Sequence, residues 1–104
     1  IVHDIIAPLP IEDESINICL IATVLHTINF TESGEKVFKE IRRVLKPGGR
    51  LITIDCKKEE MSFGPPMSMR LAPEEIIKAA EQNGFSMKNF CDLGYNYMLT
   101  FISV

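Results

Sequence analysis

The chain has 104 residues, 46% of them hydrophobic, and a formal net charge of −3. A chain of this length removes roughly two-thirds of its unfolded surface from water when it builds one core, so no second domain fits. The mild acidity gives no general attraction to nucleic acid, and no apolar run is long enough to span a membrane.

In chain order, Ile1 to Ile6 predicts a short strand whose carboxyl end carries Asp4. Ala7 to Ser15, with two prolines and three acids, predicts an exposed loop. Ile16 to Thr23 is apolar on both faces, as expected of an interior parallel strand covered by helices on each side, with neighbours on both edges. Thr27 to Ser33 connects it to a helix, with Thr31 or Ser33 as the N-cap and Glu35 placed in the first turn. From Gly34 to Leu45, the residues Val37, Phe38, Ile41, Val44 and Leu45 recur at helical spacing, opposite Lys36, Lys39, Glu40, Arg42 and Arg43. That helix should stop where Pro47 disfavours helical geometry at Lys46 and where Gly48 and Gly49 accept positive φ. A short β-branched strand, Arg50 to Asp55, begins at once, so strand, helix and strand predict a parallel pair joined by a right-handed crossover.

Cys56 to Leu71, holding Gly64, Pro65, Pro66 and three methionines, reads as a loop of functional length. A second helix follows, with Pro73 at its first position, Glu74 and Glu75 complementing its dipole, Ile76, Ile77 and Ala80 as its core stripe and Asn83-Gly84 as its stop. Met87 to Leu93 and Tyr97 to Val104 predict two antiparallel strands joined through Gly94-Tyr95-Asn96. The fold class expected is α/β, parallel strands closed by a C-terminal antiparallel hairpin.

The remaining composition narrows the chemistry. Cys19, Cys56 and Cys91 are odd in number and lack CxxC spacing, which predicts buried thiols in a reducing compartment and a cytoplasmic location. Arg42, Arg43, Lys46 and Arg50 read as the decoration of a solvated helix face rather than a phosphate site. His3, Asp4, His26 and the cysteines have no recognised metal-ligand spacing. The six glycines form no GxGxxG-like loop after a strand, so there is no nucleotide fingerprint. In open α/β sheets, ligands bind beyond the carboxyl ends of the strands, and here polar residues gather at those ends: Asp4, then Thr23 to His26, then Asp55, Cys56 and Lys57.

Four pieces in fixed order carry a family resemblance: Asp4, then Leu9-Pro10-Ile11-Glu12-Asp13-Glu14-Ser15-Ile16-Asn17, then Val24-Leu25-His26, then Glu40 through Gly49. Together they resemble the class I S-adenosylmethionine-dependent methyltransferases, within these most closely the group containing the ubiquinone and menaquinone biosynthesis methyltransferases. The resemblance covers the whole chain but only about the latter half of the family's domain. It implies a partial Rossmann-like sheet and the activity of that family, methyl transfer from S-adenosylmethionine to a small-molecule acceptor.

By the same resemblance, Asp4 would accept a hydrogen bond from the adenine amino group while Ile5 packs on the ring. Ala22 and Thr23 would offer backbone groups to the methionine moiety. His26 matches the first histidine of the family's Leu-His-His pattern, near cofactor or substrate, and is the candidate for proton transfer; Thr27 replaces the second histidine, and Asn17 stands where the family commonly has Asp. Asp55, Met61, Met67 and Met69 fall on the substrate side, the methionines as an adaptable wall for an apolar molecule. The family's glycine-rich turn and its ribose-binding acid have no counterpart here, and the first residue is Ile1, so the chain is expected to be the C-terminal half of a longer domain, inactive alone. In the family, the opening strands lie between the stump at Ile1 and the strand at Ile16, which would leave that strand with a bare edge. The alternative expectation is therefore a non-catalytic interaction domain that forms a homodimer through that edge.

Overall fold

In the computed structural model, which describes residues 10–22, 25, 30–58 and 70–104, the elements run β1 (Ile16–Ala22), α1 (Phe30–Val44), β2 (Leu45–Cys56), α2 (Pro73–Gln82), β3 (Phe85–Asp92) and β4 (Asn96–Ser103). The sheet order is β1-β2-β4-β3. Strands β1 and β2 pair in parallel, and β4 runs antiparallel to both of its neighbours, β2 and β3. Hence β1, β2 and β3 all point the same way, and their carboxyl ends at Ala22, Cys56 and Asp92 share one edge of the sheet. The strand at Ile1 to Ile6 falls outside the described residues.

Both helices pack on the same face. The stripe of α1 (Val37, Phe38, Ile41) and that of α2 (Ile76, Ala80) join Ile21, Leu51, Leu99 and Phe101 in one core cluster. Along β4 burial alternates, with Tyr97, Leu99, Phe101 and Ser103 inside and Met98, Thr100 and Ile102 half-exposed on the opposite face, the period of two of a strand covered on one side. Phe38 and Phe101 each meet Phe85 edge to face, with ring centroids 6.2 and 6.4 Å apart, an arrangement favoured by the ring quadrupole.

Several boundaries differ from the sequence-based expectation. Helix α1 starts at Phe30, so Thr31 and Ser33 lie within it rather than at its N-cap. Gly34 is buried there, and packing outweighs the roughly 1 kcal/mol that glycine costs inside a helix. The Lys46-Gly49 stretch does not precede β2 but bulges out of it: Ile16 faces Leu45 while Ile18 faces Arg50. Only Gly48 uses the left-handed backbone there, at φ 79°; Gly49 has no positive φ and is needed for space. The loop before β1 closes the end of α1, with the Glu14 and Ser15 amides donating to the carbonyls of Arg43 and Val44 at 2.8 and 2.9 Å. Arg43 fastens that loop, holding Glu40 through two nitrogens and reaching Asp13 and the Ile11 carbonyl. These carboxylates push its guanidinium pKa further up, so its charge is fully engaged within the fold. Arg42 likewise donates to the Val104 carbonyl at 2.8 Å.

Strand β1 has the outer position expected if the domain's opening strands are missing, but not the helix cover expected on both faces. Among the described residues it pairs with β2 alone, and Ile18 and Leu20, expected beneath helices, are each 60% exposed because nothing described covers that face. Cys19 and Cys91, expected to be buried, are half-exposed because β1 and β3 are the two outer strands, and only Cys56 is enclosed. No helix among the described residues is long and apolar enough to cross a membrane.

Candidate functional site

The carboxyl ends of β1 and β2 lie side by side, with Ala22 opposite Ile54 and Asp55 one residue further along. Asp55 faces Tyr97 on β4, and Tyr97 faces Asp92 on β3, so one row of polar side chains crosses three strands at the edge where ligands of open α/β sheets bind. Asp55 and Tyr97 are both wholly buried, on the face that carries the helices. Asp55 accepts the Cys56 amide through Oδ1 at 2.8 Å. The Tyr97 hydroxyl donates to the Leu71 carbonyl at 2.6 Å, tying the segment that leads into α2 to the middle of the sheet. Burial, then the Asp55 charge, push its phenol pKa well above the ordinary value, so Tyr97 stays protonated and acts as a donor rather than a base. Two residues earlier on β2, the buried Thr53 Oγ1 has no hydrogen-bond partner among the described residues.

Two lysines that follow β2 brace this edge. Lys57 Nζ lies 2.7 Å from Asp92 Oδ1, and its backbone amide donates to the Tyr95 carbonyl at 3.0 Å. Lys58 Nζ stands 3.7 Å from Glu75 Oε2, the same oxygen that accepts the Ala72 amide at 2.6 Å and so closes the start of α2. Lys57, then the Gly94 amide, hold the Asp92 carboxyl below its ordinary value of 3.8. A carboxylate with a depressed folded-state pKa contributes stability above its unfolded pKa and loses it as pH falls through the folded one. Carbon-detected NMR is therefore expected to show Asp92 titrating below 3.8, with the Lys57 and Gly94 resonances moving in the same transition. A midpoint at or above that value would contradict the ion pair.

Of the residues singled out from sequence, the structure brings Ala22 and Asp55 to neighbouring strand ends. Asp4, Ile5, Thr23, His26, Met61, Met67 and Met69 lie outside the described residues. Sequence reasoning did not single out Tyr97 or the buried Arg70 for the site. Alternation with Leu99 and Phe101 marks Tyr97 as inward-facing, but nothing local reveals that its hydroxyl meets a carbonyl 26 positions upstream. At the opposite, amino edge, a cleft of about 750 Å³ runs between the ends of α1 and α2, with Asp13, Lys39, Arg42 and Arg43 in its wall. Helix C-termini disfavour anions there, and Arg43 is already matched by Glu40 and Asp13, so it makes a poor phosphate site.

Comparison with known proteins bears on this edge. A family model described as "Methyltransferase domain" matches residues 1–53, about half of the chain. Over 50 residues the chain is 38% identical to the sterol 4-C-methyltransferase of Caenorhabditis elegans, covering 48% of this chain and 14% of that protein. A crystal structure of a SAM-dependent methyltransferase from Aquifex aeolicus superposes with a TM-score of 0.85 at 26% identity, covering 93% of this chain and 50% of that one. A protein of Pyrococcus horikoshii shares the fold at a TM-score of 0.79 and 20% identity, covering all of this chain and 58% of its own. The chain thus spans about half the length of the solved structures it matches, and far less of the sterol enzyme.

Proposed function

The chain belongs to the methyltransferase-domain family, and on that premise we propose that it is the C-terminal half of an enzyme that moves a methyl group from S-adenosylmethionine to an apolar small molecule. The observation that carries this reading is the shared edge of three parallel strand ends, with Ala22 and Asp55 adjacent on it, in a fold whose solved relatives include a SAM-dependent methyltransferase. One side of a cofactor site would lie here, where Ala22 ends β1 exposed to solvent beside the end of β2. Asp4 and Ile5 would hold the adenine, Thr23 would join Ala22 at the methionine moiety, and His26 would stand ready for proton transfer. On the acceptor side, Asp55 would act together with Met61, Met67 and Met69.

When bound, the sulfonium supplies an electrophilic methyl group. The protein's own task is to align donor and acceptor and to exclude water, which is worth roughly 7–11 kcal/mol in favourable intramolecular cases. The buried Asp55-Tyr97 pair and the Lys57 and Lys58 braces give that edge a fixed shape. An apolar acceptor suits both the resemblance to the quinone-biosynthesis methyltransferases and the sterol named for the Caenorhabditis relative. The free thiols accord with a cytoplasmic setting.

The edge of β1 that is unpaired among the described residues supports the half-domain reading. The other outer strand, β3, is interrupted between Met87 and Asn89, around Lys88, a device that blocks edge pairing, while β1 carries neither charge nor proline. Such a strand is suited to a further parallel neighbour supplied by the rest of the domain. Calorimetry should show micromolar S-adenosylmethionine binding by the full-length polypeptide and none by the 104-residue chain alone. Cofactor binding by the isolated monomer would sink the half-site reading, and its absence from the full-length protein would sink the activity. A concentration-dependent dimer with no cofactor binding would favour the interaction-domain alternative.

A further inference from the structure

We propose that the sheet face left open at β1 is the seat on which the remaining half of the domain docks, and that these 104 residues fold by themselves as one of two separable halves. This inference rests on the half-domain reading above. Strand register assigns Ile18, Leu20 and Ala22 of β1 to the face opposite the helices, and Ser86, Asn89 and Cys91 of β3. That face is therefore wholly apolar at its β1 end and mostly polar at its β3 end. Ile18 and Leu20, at 60% exposure each, are the large side chains left in solvent there. An uncovered pair of this kind on an uncharged strand marks a contact surface rather than a solvated one.

The occupant follows from what β1 offers twice, an open face and, among the described residues, an unpaired edge. A parallel strand beside that edge, followed by a right-handed crossover leading outward, places the connecting helix on the open face. The β1-α1-β2 crossover runs the opposite way across the sheet, which is why α1 lies on the other face. One further α/β unit thus covers edge and face together, and half of the Aquifex aeolicus structure lies outside the match to this chain. The helix-bearing face needs no such partner. Ile21, Phe38, Leu51, Ile76, Phe85 and Leu99, one from each element, meet in a single core cluster. Chains of about 60 residues already fold on one core, so a unit of this size is expected to hold its shape with the other face bare.

The test compares the 104-residue polypeptide with the full-length one by hydroxyl-radical footprinting. Ile18 and Leu20 are expected to be oxidised about tenfold or more faster in the shorter chain, with the half-exposed Phe90 on the other face as the reference. The shorter chain should unfold in one cooperative transition. Its melting temperature should hold within about 4 °C in the Ile18→Thr/Leu20→Thr variant, which keeps strand-compatible residues at exposed positions. In the full-length polypeptide the same pair of substitutions should lower the melting temperature by about 10 °C or more, because there both side chains are buried. Equal oxidation in the two polypeptides would overturn the inference, as would a shorter chain without a cooperative transition. So would a dimer of the shorter chain that shields both side chains, which would assign the face to a second copy. Binding of S-adenosylhomocysteine by the full-length wild type is read separately: its absence counts against the methyltransferase reading, whatever the footprints show.

Discussion

Replacing Phe101 with alanine is expected to lower the unfolding free energy by about 3–5 kcal/mol, a large share of the 5–15 kcal/mol typical of a domain. Phe101 is wholly buried on the central strand β4, between Leu51 of β2 and Met87 of β3, and its ring meets Phe85 edge to face. Phe85 in turn contacts Phe38 of α1, so the three rings join helix and sheet at one point. Truncation removes the transfer energy of the ring and leaves a cavity whose walls are two strands held by ladder hydrogen bonds, which relax little. Chemical denaturation of the full-length protein should show the midpoint falling with the m-value unchanged. Phe90→Ala, removing a ring that is nearly half exposed, should cost distinctly less. Equal losses at the two positions would mean that the Phe38-Phe85-Phe101 contact is not the centre of this core.

The elements that depend on local pattern are legible in the amino-acid sequence. The stripe of α1, the Pro73 start and Asn83 end of α2, and the two C-terminal strands joined through Gly94-Tyr95-Asn96 each follow from residues within a dozen positions. Parallel pairing of β1 with β2 follows from one crossover rule. What escapes the sequence is non-local. That β4 lies between β2 and β3 is decided by pairings as distant as Arg50 with Ile102, and period alone cannot rank them. The row Asp55-Tyr97-Asp92 exists only because of that placement, which is why Asp55 can be named at its strand end while its neighbours cannot. The double-sided apolarity of β1 is visible too. That its second edge is unpaired among the described residues depends on which other segments of the domain stand beside it.

The family pattern around Pro47-Gly48-Gly49 gives the second large effect, and the two glycines should separate by mechanism. A methyl group on Gly49 would stand 2.8 Å from the Lys46 carbonyl oxygen, 3.1 Å from Leu45 Cδ2 and 3.2 Å from the Asn17 carbonyl oxygen. Two of these are backbone atoms, one of them on the neighbouring strand, so relief requires β1 and β2 to move apart where the bulge resumes pairing at Ile18 and Arg50. Gly49→Ala is therefore expected to cost about 1–3 kcal/mol as an overpacked site, with amide chemical shifts and hydrogen exchange changing across the strands at Asn17 and Ile18. Gly48 has open space around it but sits at φ 79°, so Gly48→Ala meets only the backbone penalty of about 1–2 kcal/mol for a left-handed residue. That cost should stay within the bulge, leaving exchange in β1 untouched. If both variants disturbed β1 equally, the bulge would be acting as one rigid turn, and close strand approach would not be what excludes a side chain at Gly49.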